Sequence, residues 1–295
     1  MATVSGGATS ERFGFIQRFG PELGVRYLCN WLGVSRSGYY DWLKRKPSNR
    51  TQDDIALLVK IVSIHQKSRE TYGSPRVHRS LKNEGVRVGE KRIARLMREN
   101  GVKGRVVTVT RRSPALRRFQ QDGQNLRLTL PFPSGCDQQW VADLTYIRVG
   151  DDYQYLITIM DLYSRRILGW SLSKQRTADD VLLVMKRVIA RRRPKPGLIF
   201  HTDRGIEFMA YAIQDELARH GLERSYNRLG FCTDNAHMES FYHSLKGELI
   251  RGRTFSSDES LRKTLASYIN QFYNQERLHS GIAYMSPVNY EQQAA

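Results

Sequence analysis

Residues 140–173 read WVADLTYIRVGDDYQYLITIMDLYSRRILGWSLS, and this stretch decides the fold. It divides into WVADLTYIRV, YQYLITIMDLY and RRILGWSLS, rich in β-branched and aromatic residues, with short breaks after Gly150 and at Ser164. Such runs predict three strands paired consecutively and antiparallel. Working outward, TADDVLLVMKRVIARRR (177–193) predicts a helix, with Thr177 as N-cap and Pro194 beyond its end. GLIFHTD (197–203) predicts a buried strand and FMAYAIQDELARHG (208–221) a helix closed by Gly221. LERSYN (222–227) predicts a short strand and NAHMESFYHSLKGELI (235–250) a late helix. Three strands, helix, strand, helix, strand, helix is the order of an α/β fold on a mixed five-stranded sheet.

Three acids stand out on this frame. Asp143 lies inside the first strand, where a neutral or apolar residue is expected; Asp203 follows the fourth strand; Glu239 falls in the first turns of the late helix. Any one of them alone reads as a turn or surface charge, but two strands and a helix in this order can bring all three together. Clustered carboxylates repel unless cations neutralise them. Mg²⁺ prefers oxygen ligands and leaves sites for water and phosphate. Two such ions about 3.5–4 Å apart hold the attacking and leaving oxygens of an in-line displacement at phosphorus. Lys246, two helical turns after Glu239, shares its face with Tyr242 and His243 between them, and reads as a cation for DNA beside the cut.

The neighbouring residues have plainer readings. Asp151-Asp152 predicts a hairpin turn, Asp161 a structural strand-end acid, Asp234-Asn235 a cap for the Glu239 helix, and His201 a packed histidine; Glu207 is a weaker metal-ligand candidate.

Upstream, PELGVRYLCNWLGVSRSGYYDWLKRK (21–46) places Leu23, Tyr27, Leu28, Trp31 and Leu32 at helical spacing. A break at Gly33 and an N-cap at Ser35 then predict a helix-turn-helix, with Arg36 as a DNA contact. Residues 44–48 read as a linker, followed by a helix with Ile55, Leu58, Val59 and Val62 on its apolar side. In a second module, Val77 and Leu81 mark one helix. Ile93, Leu96 and Met97 mark another, which carries Lys91, Arg95 and Arg98 on a separate cationic stripe suited to phosphate or a major groove. The organisation expected is an N-terminal module 1–50, a second helical module 51–104, a basic linker 105–135 with Arg111, Arg112, Arg117 and Arg118, and a catalytic domain with a helical tail over 136–295.

Charge agrees with that division. The net charge is +18 and the pI about 10.0; residues 1–135 hold 26 Lys+Arg against 10 Asp+Glu, and residues 136–295 hold 21 against 19. A basic excess of this kind selects a polyanionic partner through counterion release. The three cysteines, Cys29, Cys136 and Cys232, form no C-x-x-C pair, which argues against a zinc ribbon or disulfide framework. No run of 18 apolar residues predicts a membrane span, and the first residues lack the apolar core of a secretory signal, so the expected place is the cytoplasm, on the nucleoid.

The motifs together resemble the transposases of a large bacterial insertion-sequence family with a retroviral-integrase-like core. WVADLTYI is similar to that family's Trp-x-x-Asp-[Ile/Leu]-Thr-Tyr block, and YQYLITIMDLYSRRILGW to the block after it. HTDRG resembles the second-Asp block, DNAHMESFYHSLKGE the Glu block and YNQERLHSGIAYMSP the tail; 35 residues separate Asp203 from Glu239. LGVSRSGYYDW and YGSPRVHRSL…RIARLMRENG resemble the upstream modules, so the match spans about residues 20–290.

The resemblance implies an RNase H-like integrase fold, Mg²⁺ (with Mn²⁺ as a substitute) on Asp143, Asp203 and Glu239, nicking at the element's ends, and attack of the exposed 3′-OH on another strand. It also implies terminal inverted repeats and target DNA as partners, a homo-oligomer on DNA, and a partner or fusion from an upstream reading frame that carries the leucine zipper absent here. Retroviral integrases' His/His/Cys/Cys zinc module has no counterpart in this sequence. Two other readings stay open at this point: a DNA-binding regulator with a decayed core, and a nuclease that hydrolyses without joining strands.

Overall fold

The computed structural model describes residues 8–45, 48–105, 124–228 and 232–294. Most of the expected basic linker lies outside the described residues, including Arg111, Arg112, Arg117 and Arg118, as do Lys46 and Pro47 of the shorter one. The chain forms two compact units, Met1–Lys60 and Ile61–Ala295.

In the first unit, α1 (Thr9–Leu23), α2 (Val25–Leu32) and α3 (Arg36–Lys44) enclose Phe13, Ile16, Leu28, Cys29, Leu32 and Tyr39. Gly33 takes the left-handed conformation that closes α2, at φ 66°. The Ser35 hydroxyl then accepts the Gly38 N–H at 3.0 Å and caps α3, as its sequence position predicts. The expected apolar stripe is only half inward. Leu28 and Leu32 are buried, whereas Leu23, Tyr27 and Trp31 are exposed, because the chain breaks at Gly24 and α2 turns its other face to α1. A similar correction holds for α4 (Asn49–Lys67). Leu57, Ile61 and Ile64 are buried, and Ile55 and Val59 lie outside; two apolar stripes coexist on this helix and packing chooses between them.

In the second unit, α5 (Ser74–Asn83) buries Val77 and Leu81, and α6 (Glu90–Glu99) buries Ile93, Leu96 and Met97, each on the expected face. The sheet comprises β1 (Gln139–Val149), β2 (Asp152–Asp161), β3 (Ile167–Ser173), β4 (Ile199–Thr202) and β5 (Glu223–Tyr226), in the order β3-β2-β1-β4-β5. The first three are antiparallel neighbours, whereas β4 runs parallel to β1 and β5 parallel to β4. A turn at Gly150-Asp151 joins β1 to β2, with Gly150 at φ 58°; Asp152 is already in the ladder opposite Val149. Between the parallel strands run α7 (Ala178–Arg192), capped by Thr177 as expected, and α8 (Tyr211–Arg219). Trp140, Ala142, Ile157, Ile159, Phe200 and the inner faces of both helices form the core.

α9 (Ala236–Leu245) carries the Glu block and continues into a π-helical turn, Lys246–Ile250. α10 (Asp258–Ala266), a π-helical stretch Ser267–Glu276 and α11 (Pro287–Ala294) complete the tail. No helix among the described residues is long and apolar enough to cross a membrane.

Candidate active site

The parallel β1/β4 ladder sets the first two acids side by side. Its last paired residues are Ala142 and Thr202, so Asp143 and Asp203 are the next positions on adjacent strands, which lie about 4.8 Å apart. Asp143 shares the sheet face of Val141, and Asp203 is the first residue beyond the end of β4, beside it. Asp143 is 8% exposed, and its Oδ1 accepts its neighbour's N–H, that of Leu144, at 2.8 Å. Asp203 opens a turn in which its Oδ1 accepts the Gly205 N–H at 3.0 Å.

α9 is fastened to that same point of β1. The Asn235 side chain donates to the Ala142 carbonyl at 3.1 Å. One turn beyond Glu239, the buried Tyr242 hydroxyl donates to the Asp143 carbonyl at 2.6 Å and meets the Thr158 hydroxyl at 2.7 Å. Glu239 lies between these two anchors, in the first turn of the helix. Tyr242 is therefore a bolt between helix and sheet, buried on the β1 side of the helix, the side that Lys246 shares as its spacing suggested. Lys246 starts the π-helical turn, and its Nζ lies 5.2 Å from the centre of the Tyr146 ring on β1.

The expected cap is also different. Asn235 is at the N-cap but makes no capping hydrogen bond; its Nδ2 donates to β1 and its Oδ1 is buried without a hydrogen-bond partner. Asp234 instead accepts from Arg228 and Asn125, which holds its carboxyl down at about 2. His201 is packed as expected, fully buried between the Ser225 hydroxyl at 2.8 Å and the Asn227 side-chain Oδ1 at 2.7 Å; burial lowers it to about 4 and keeps it neutral. Asp161 is fully buried and accepts the Asp137 and Ser164 N–H groups, the structural role its place suggested.

Glu207 is closer to the site than its spacing revealed. It is 3% exposed, takes the Arg176 Nε at 2.9 Å on Oε1, and leaves Oε2 buried without a hydrogen-bond partner. A Cβ on Gly205 would lie 2.6 Å from this Oε1 and 3.1 Å from Asp203 Oδ1, so the two carboxylates crowd the same glycine. All the acids here are hard oxygen donors, which suits Mg²⁺ and excludes a soft-metal site.

The remaining basic candidates lie elsewhere. On α6, Lys91 and Arg98 are exposed, and Arg95 pairs with Glu99 at 2.8 Å. Arg36 is exposed at the start of α3, in the other unit.

Models described as an integrase core domain match residues 133–232 and 239–294, and one described as an HTH-like domain matches 51–109. The IS600 uncharacterized 31 kDa protein of Shigella sonnei is 35% identical over 272 residues, 91% of this chain and 100% of that protein. Transposase InsF for insertion sequence IS3A of Escherichia coli is 34% identical over 284 residues, covering 95% and 98%. The chain belongs to the insertion-sequence transposases with an integrase core. The transposase is thus a polynucleotidyl transferase that cleaves and transfers DNA strands, in a metal-dependent family, with DNA as its partner. Among solved structures, the magnesium-bound catalytic core of HTLV-2 integrase (trimeric form) is 15% identical, with a TM-score of 0.42, over 54% of this chain and 98% of that one. A simian T-cell lymphotropic virus intasome chain is 14% identical, with a TM-score of 0.47, over 78% and 74%.

Proposed function

We propose that Asp143, Asp203 and Glu239 are the metal-binding catalytic residues, and that the metal is Mg²⁺, with Mn²⁺ as a substitute. The observation that carries this is the ladder: Asp143 and Asp203 are its next register positions, and α9 is hydrogen-bonded to Ala142 and Asp143 on either side of Glu239. A divalent cation held by these carboxylates would acidify an attacking hydroxyl and neutralise charge building on the phosphate.

The protein's own part is positioning. In the first step a water oxygen bonds to phosphorus at the element's end, the bond to the 3′ oxygen breaks, and that oxygen leaves as a 3′-OH. In the second step the same hydroxyl attacks a target phosphodiester and displaces another 3′ oxygen. β1 and β4 hold two acids on a rigid sheet, and Tyr242 fixes the helix that brings the third. Lys246, over Tyr146, contacts the terminal base pairs, and Lys91, Arg95, Arg98 and Arg36 contact phosphates. The substrates are the terminal inverted repeats and target DNA. The assembly on DNA is a homo-oligomer, since two ends must be cut together, and an upstream-frame product joins it as partner or fusion.

Asp143→Asn, Asp203→Asn and Glu239→Gln should each abolish cleavage of a labelled terminal-repeat duplex while leaving its binding intact. An active Glu239→Gln protein in Mg²⁺ would sink the assignment. Products joined to a second duplex would separate strand transfer from simple hydrolysis.

A further inference from the structure

A small cavity of about 70 Å³, bordered by α9, α5, the end of β2 and the tail, lies within the second unit. Its lining comes from distant parts of the chain: Arg76 on α5, Arg165 in the β2–β3 turn, His237 and Ser244 on α9, and Arg277 and Ser280 in the tail. His237 and Ser244 are seven residues apart, two turns along one helix face. Three guanidinium groups and several hydroxyls therefore face one space that is much too small for a nucleoside, given the roughly 300 Å³ or more of ordinary ligand pockets.

The charges do not cancel. Arg277 is matched, since Glu248 accepts both its Nε, at 2.9 Å, and its Nη2, at 2.6 Å. Arg76 reaches that same Glu248 only at 4.0 Å. Arg165 pairs with no carboxylate among the described residues. It is nevertheless held firmly. Its backbone is left-handed at φ 61°, and its guanidinium lies against Gly281, where a Cβ would come within 2.4 Å of Nη2. His237 Nδ1 is buried without a hydrogen-bond partner. A fixed arginine with no counter-ion, beside a buried polar atom that lacks a partner, leaves room and charge for one anion.

We infer that this cavity is a phosphate-binding site, and that its ligand is a backbone phosphate of the DNA strand that the transposase cleaves. Arg165 and Arg76 supply the charge, and Ser280 at the exposed rim and His237 within supply hydrogen bonds. The choice of DNA as the source of the phosphate rests on the proposed function; the anion chemistry does not.

The test uses the full chain in EDTA, so that failure of the metal-site assignment cannot affect it. Binding of a fluorescent terminal-repeat duplex is measured by anisotropy across a salt series for the wild type, Arg165→Gln and Arg76→Gln. Thermal melts confirm folding, and either variant serves if the other is unfolded. Expected for Arg165→Gln is about a tenfold weaker affinity and a salt slope shallower by about one. In a scan of single neutral methylphosphonates along the strand, one of the positions that weaken wild-type binding should leave Arg165→Gln unaffected. Both variants binding with wild-type affinity and slope would overturn the inference. Stabilisation of the wild type alone by inorganic phosphate, with DNA binding unchanged, would assign the cavity to a small anion and overturn the DNA source.

Discussion

Replacing Tyr242 with Phe removes one oxygen and leaves the packing of the ring intact. The tyrosine is 2% exposed, and its hydroxyl joins the Asp143 carbonyl at 2.6 Å to the Thr158 hydroxyl at 2.7 Å; Thr158 is fully buried. The phenylalanine leaves these buried groups short of a partner. A buried polar group without its partner costs about 1–3 kcal/mol. For a unit of this size that lowers the melting midpoint by about 2–4 °C per kcal/mol. Thr158→Val alone keeps the bond to Asp143, so the pair of substitutions should show a coupling of about 0.5–3 kcal/mol. Catalysis should suffer as well, because the bond fixes the backbone that carries the Asp143 carboxylate. The assay is a thermal melt beside cleavage of a terminal-repeat duplex over a Mg²⁺ series. The expected result is a lower midpoint, unchanged DNA affinity, and a higher Mg²⁺ requirement with reduced turnover. A Tyr242→Phe protein with wild-type midpoint and wild-type Mg²⁺ dependence would refute the reasoning that α9 is bolted to the site through this hydroxyl.

Gly205→Ala should weaken Mn²⁺ binding in a titration, because the new methyl must displace Glu207 Oε1 or Asp203 Oδ1, and unaltered affinity would count against the crowding of these acids. Arg176→Gln should destabilise the fold by about 1–3 kcal/mol by stranding the buried Glu207, and adding Glu207→Gln should recover part of that loss in the same melt. His201 titrates at about 4 in the fold against 6.5 ordinarily. The unfolded chain therefore takes up the proton first, and stability present above pH 6.5 is lost as the pH falls toward 4. His201→Asn should flatten that acid limb of the melting curve, and an unchanged slope would contradict the assignment. Lys246→Ala should reduce processing of the element's end with folding and metal binding intact, whereas Lys246→Arg retains part of the activity; normal end cleavage by the alanine variant would remove its proposed role.

The sheet was legible because its strands announce themselves by composition and its helices by caps such as Thr177. Asp143 was conspicuous because it breaks an apolar run. What the sequence hid depends on partners. In α4, two apolar stripes compete, and only packing selects Leu57, Ile61 and Ile64. α1 escaped notice because Gly14, Gly20 and Pro21 weaken its helical signal, although Phe13 and Ile16 form the core there. Glu207 carries no local mark of burial, and its neighbour Arg176 is 31 residues away. Glu248 looks like a solvent-facing acid beside Lys246 and Gly247, yet it receives the Tyr268 hydroxyl at 2.7 Å as well as Arg277. Such pairings arise only when the tail folds back.

The same folding back reaches the helical module at the front of the second unit. The Tyr72 hydroxyl accepts the Leu278 N–H at 2.8 Å, Arg69 donates to the Ser267 hydroxyl at 3.1 Å, and Arg105 donates to the Glu248 carbonyl at 2.7 Å. The segment carrying α5 and α6 is thus clasped to the tail at both of its ends. On the proposed assignment of phosphate contacts and of Asp143, a helix clasped in this way is the fixed jaw of a caliper. The interval between the DNA it would hold and the bond cut beside Asp143 is then a length written into the protein, to which the spacing of the element's end sequence would be matched.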